Sequence, residues 1–153
     1  MTIESSAIIL TVVKVAWLAN VVAAVVAYRC GPVYDYRLQH MGWGIRTMYC
    51  VGFFGPEDGR RLKRLADRAA LFLNAAMAAQ ILFFFACLFG DNSMGSNLGL
   101  SAFGACCIAL VWPCLLVGLR HASGAWELEQ TLVAGLGDDR RQDLTEFRGN
   151  IPV

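Results

Sequence analysis

Residues 55–90 read "GPEDGRRLKRLADRAALFLNAAMAAQILFFFACLFG", and the stretch changes character halfway. The first half holds the acids Glu57, Asp58 and Asp67 and the bases Arg60, Arg61, Lys63, Arg64 and Arg68; from Ala69 to Gly90 there is no charge. Proline in the first turn followed by acids at the positive end of the helix dipole marks a helix start. Leu62, Leu65, Ala66 and Ala69 follow the i, i+3, i+4, i+7 spacing of an apolar helical stripe. No helix breaker intervenes before Gly90. One helix of some 33 residues is therefore predicted, beginning among headgroups and continuing through a bilayer.

The rest of the chain agrees. Of 153 residues, 57% are hydrophobic and 16% charged, against the roughly 25% charge of ordinary soluble domains; mean hydropathy is +0.51. Two further stretches match the roughly 20 apolar residues needed to cross a hydrocarbon core. They are 7–27, interrupted only by Lys14, and about 98–119, which is uncharged. With 69–90 these make three spans. A cleaved leader at the N-terminus is disfavoured, because "MTIESS" carries Glu4 and no base. The expected fold is all-α, an integral membrane protein with three transmembrane helices and an amphipathic inner-face loop. Residues 1–121 form the membrane domain; 122–153 form a short amphipathic helix and a loosely ordered acidic tail.

Lys and Arg positions orient the spans. Residues 28–68 contain Arg29, Arg37, Arg46, Arg60, Arg61, Lys63, Arg64 and Arg68; the connector "DNSMGSN" has none, and the C-terminal segment has Arg120, Arg140, Arg141 and Arg148. The expected topology is N-terminus outside, long loop inside, connector outside and tail cytoplasmic, in an inner or plasma membrane. A rival fourth crossing at 41–55 is short: 15 residues rise about 22 Å against a core of about 30 Å. That segment is read as interfacial or re-entrant. Within the loop, 34–68, the apolar series Leu38, Met41, Ile45, Met48 and Gly52 is set against Arg37, His40, Arg46 and Thr47. Tyr34, Tyr36, Trp43 and Tyr49 suit headgroup depth. Arg60, Arg61, Lys63, Arg64 and Arg68 are the expected contacts for anionic headgroups.

Helix packing in lipid favours small residues. Ala75 and Ala79 make one small-xxx-small pair; Ser101, Ala105 and Ala109 make a ridge on the third span, where Pro113 frees the carbonyl of Ala109. With Trp43, these are the candidate contacts within the chain or with a partner. The intramembrane polar residues are Lys14, Asn20, Asn74 and Gln80. In the tail, Leu128, Leu132 and Leu136 suggest a short helix that Gly137 stops. From Ala122 onward the acids outnumber the bases six to three, and residues 28–68 have eight bases and four acids. The tail is expected to fold back on that loop or to share a protein partner with it.

Catalytic and metal signatures are missing. Six cysteines form no C-x-x-C pair; His40 and His121 are the sole histidines, a weak basis for haem ligation. Neither a phosphate loop nor a nucleic-acid surface is present. The expectation is a non-enzymatic small membrane subunit, without cofactor or metal, that stabilises or scaffolds a larger membrane assembly. Its partners are the lipid bilayer and either another membrane protein or further copies of itself. The first alternative is a self-assembling pore-former or filament subunit. In layout alone the chain resembles one class of phage holin, and its basic turn between apolar helices is similar in kind to conjugative pilins. Its acidic tail departs from the first pattern and its third span from the second. A small transporter or redox module, built on Lys14, Asn74, Gln80 and the histidines, is the other alternative.

Overall fold

The computed structural model describes residues 2–30, 38, 41–91 and 93–149. Five helices follow one another: α1 (Ile3–Arg29), α2 (Trp43–Phe54), α3 (Asp58–Phe89), α4 (Met94–Ala134) and α5 (Asp138–Gly149). There is no strand among the described residues. The protein is an all-α membrane protein in which α1, α3 and α4 are long and apolar enough to span a bilayer. At 1.5 Å per residue, α3 measures about 48 Å and α4 about 62 Å, both well beyond a hydrocarbon core of about 30 Å.

The chain divides into two compact units. The first comprises residues 1–31 and 72–117, the second 32–71 and 118–153. In the first unit α1 buries Ser6, Leu10 and Asn20, and the buried positions of α4 (Asn97, Ser101, Gly104, Cys107, Val111, Leu115) recur at steps of three and four. Ala76 and Phe83 are the buried positions of α3 in this unit, seven residues apart. A seven-residue repeat is the seam of left-handed helix packing. Ring contacts hold it: Trp17 lies edge-on to Phe83 at 5.6 Å and stacks on Phe84 at 6.3 Å, and Phe83 meets Phe103 at 6.3 Å. Gly104 is a point of close approach among the three helices, since a Cβ there would sit 2.5 Å from the Phe83 ring and 2.7 Å from Val13.

The second unit has a hydrophobic core of its own. Tyr49, Cys50, Leu62, Ala66, Ala69, Ala122, Ala125 and Leu144 are buried together, with Phe53, Phe54, Leu128, Leu132, Leu136 and Phe147 packed around them. Gly55, at φ +83°, makes the turn from α2 into α3, a backbone conformation that favours glycine. Directly after it, Gly59 is buried against the α2 backbone: a Cβ there would lie 2.2 Å from the Cys50 carbonyl oxygen.

Several expectations change. Residues 122–134 are no separate helix but the end of α4, which continues through Pro113, Gly118 and Gly124. Gly118, Ala122 and Ala125 are small and buried, so neighbours approach closely and the helix persists despite its glycines. The segment expected to be a loosely ordered tail is helical over 138–149 and contributes Leu144 and Phe147 to the core. At 12 residues α2 rises about 18 Å, too short to cross. The segment's expected apolar series is split: Leu38 and Met41 are buried together with Arg46, Tyr49 and Cys50, and Trp43, Ile45 and Met48 are exposed. Tyr34, Tyr36, Arg37 and His40 lie outside the described residues.

Candidate functional site

Two sets of polar residues within the first unit bear on its packing. Ser6, Asn20, Gln80, Asn97 and Ser101 lie on or beside the buried seam. Asn97 Nδ2 donates to Ser6 Oγ at 3.3 Å, Ser101 Oγ to the Asn97 carbonyl at 2.7 Å, and Trp112 Nε1 to Asn20 Oδ1 at 2.8 Å. The Asn97–Ser6 and Trp112–Asn20 bonds join two helices, and such interhelical bonds contribute about 0.6–2 kcal/mol each in lipid, where no hydrophobic drive separates helix from solvent. Gln80 is half-buried, yet both its side-chain polar atoms are fully enclosed and without a hydrogen-bond partner.

Lys14 and Asn74 form the other set and point outward. Asn74 has no hydrogen-bond partner among the described residues. Ala75 is exposed beside it; Ala105 and Ala109 are exposed on α4, and Ala79 is half-buried. Of the small residues singled out from the sequence, then, Ser101 packs inside the bundle, whereas Ala75, Ala105 and Ala109 face away from it. The contacts within the bundle are made instead by Ala76, Phe83, Gly104 and Val111, of which Ala76 and Gly104 are one residue from the exposed alanines.

The second unit carries a charged cluster. Arg46, 6% exposed, donates to the carbonyls of Leu38 and Met41 at 3.0 and 2.8 Å and to Asp67 at 2.6 Å. Lys63 Nζ reaches Asp67 at 2.6 Å and stands 4.8 Å from the centre of the Trp43 ring. Burial alone would raise the Asp67 pKa, but the hydrogen bonds from Lys63 and Arg46 overcome it and hold the carboxyl below its usual range. On the other side of the core the Tyr49 hydroxyl bonds to buried Glu129. Burial, assisted by Glu129, pushes the Cys50 thiol up to about 12. Cys50 is therefore a packed neutral thiol, not a nucleophile.

The basic ridge stays open. Arg60, Arg61, Arg64 and Arg68 are exposed, and Arg60 and Arg64 line a groove with Pro56 and Glu57. Lys63 is the exception among the expected headgroup contacts, being half-buried and engaged by Asp67. His121 is half-buried on α4. Among the described residues no group of three His, Cys, Asp or Glu is placed to hold a metal ion. Comparison with known protein families, with characterised proteins and with solved structures finds no match for this chain.

Proposed function

We propose that this chain is a non-catalytic small membrane subunit that stabilises or scaffolds a larger membrane protein assembly. The observation that carries the reading is the outward placement of Asn74 and Ala75 on a helix apolar enough to lie in lipid. A primary amide facing hydrocarbon is costly, and polar side chains in spans ordinarily face another helix. Small residues next to it admit that helix closely. Ala105 and Ala109 offer a second such strip on α4.

In the proposed orientation the N-terminus is outside and the second unit is cytoplasmic, as the Lys and Arg distribution favours. The exposed Trp43 and Met48, 71% and 70% accessible, then rest at the membrane surface, with Arg60, Arg64 and Arg68 among anionic headgroups. Extraction in a gentle detergent followed by native mass determination tests the main reading. A heteromeric particle whose partner is lost in Asn74→Leu is the expected result. A large homo-oligomer would refute it in favour of a pore or filament, and a bare monomer would refute it outright.

A further inference from the structure

The orphaned side chains of the first unit gather at one depth. The pairs Ser6–Asn97, Val13–Gly104 and Asn20–Trp112 advance together, so α1 and α4 run parallel. Gly90 approaches Leu100 and Phe83 approaches Gly104, so α3 runs antiparallel to α4 and hence to α1. Trp17 meets Phe83, and Asn20 is three residues beyond Trp17 as Gln80 is three before Phe83. Both steps are about 4.5 Å in the same direction. Asn20, Gln80 and Trp112 therefore share a level, with Trp17 one turn away. Trp17 is the central residue of the run 7–27 and Gln80 is central in 69–90, which puts the level within about one helical turn of mid-bilayer.

The hydrogen-bonding capacity there is unbalanced. Trp17 Nε1, Asn20 Nδ2 and both Gln80 side-chain atoms are buried without partners. Asn20 is only 8% exposed. Its orientation is fixed, because Trp112 donates to its oxygen and leaves the amide nitrogen free. One indole N–H and two NH₂ groups thus face one free acceptor, Gln80 Oε1. Protein interiors satisfy nearly all such groups, and within hydrocarbon no bulk water is at hand.

We propose that this layer is a binding site for a neutral oxygen acceptor. The surplus of donors calls for an oxygen that accepts two or more N–H bonds. Lack of a charged side chain on the seam, together with the depth, favours a neutral one. The rings of Trp17, Phe83 and Phe84 pack on one another about one turn from this layer. Two sources supply this chemistry: an ordered water, or the carbonyl of a lipid-soluble planar molecule.

Nuclear magnetic resonance on the full chain in lipid nanodiscs, with ¹⁵N in the indole rings, separates them. Loss of one signal in Trp17→Phe assigns the reporter. A cross-peak between the Trp17 indole proton and water supports the site with water as occupant. A saturable shift of that signal on titrating a short-chain benzoquinone supports it with a lipid-borne carbonyl. Neither response overturns the proposal. Whichever signal is found should vanish in Gln80→Leu and in the volume-matched Gln80→Met; its survival in a folded variant also overturns the assignment to this layer.

Discussion

Replacing Gly59 by alanine probes the contact on which the second unit closes. The new methyl carbon would stand 2.2 Å from the Cys50 carbonyl oxygen, 2.7 Å from its carbon and 2.9 Å from the Val51 Cα. All three obstacles are backbone, so no rotamer relieves them, and α2 must retreat by about 1 Å to restore an ordinary contact of about 3.5 Å. Overpacking of this kind costs about 1–3 kcal/mol, with a rigid obstacle at the upper end. Replacing a helical glycine by alanine returns about 1 kcal/mol. The expected net loss is about 2 kcal/mol. Gly124 is the control: it is helical with nothing within 4 Å of its added Cβ, so Gly124→Ala should stabilise by up to about 1 kcal/mol.

Cys50 reports the displacement directly. In a variant retaining only this cysteine, a thiol pushed up to about 12 has, at pH 8, about 10³-fold less thiolate than an ordinary thiol near 8.5. Alkylation of the native protein should be correspondingly slow, and Gly59→Ala should accelerate it by at least tenfold while lowering the melting midpoint in mild detergent. A Gly59→Ala protein that melts at or above the parent, with unchanged alkylation, would refute the close approach of α2 and α3.

Asp67→Ala removes the carboxylate that meets the buried Arg46 guanidinium and should cost about 2 kcal/mol by thermal denaturation. Because the folded pKa of Asp67 lies below the ordinary 3.8, its contribution is fully present above about pH 4 and is lost as pH falls through the lower folded value. An acid titration of the melting midpoint should therefore flatten in Asp67→Ala. Tyr49→Phe removes the hydroxyl bonded to buried Glu129 and should destabilise by about 1–3 kcal/mol, read by the same melting experiment. Arg60, Arg64 and Arg68 changed together to Glu should disturb insertion or orientation, scored by accessibility of Cys30 from either side; an unchanged topology would defeat the orientation argument.

The spans were legible because length and apolarity alone mark them, and α3 was readable to its ends through Pro56 and Gly90. The buried faces were harder. In a span both the lipid side and the protein side are apolar, so hydrophobic periodicity says nothing about which face packs. The alanine ridges at 75–79 and 105–109 were one plausible choice, yet the polar residues were the better guide. Ser6, Asn20, Asn97 and Ser101 all sit on the seam, where hydrogen-bond partners exist. The inward Arg46 was missed because its acceptors are backbone carbonyls and a carboxylate 21 residues away, none of which a local pattern reveals. Helix α5 was missed because Leu144 and Phe147 are its apolar contacts in a strongly charged segment.

The seven-residue spacing along the seam has a consequence for chain length. Ala76 and Phe83 occupy equivalent places on one face of α3. A single residue inserted between them turns everything beyond by about 100° and carries Phe83 away from Trp17 and Phe103. Seven inserted residues would restore the face and lengthen the rod by about 10 Å, beyond what a bilayer accommodates without tilt. Single substitutions on the lipid side leave this phase untouched. Insertions and deletions do not, so the residue count between Ala76 and Phe83 constrains this helix more than the identity of its lipid-facing apolar residues.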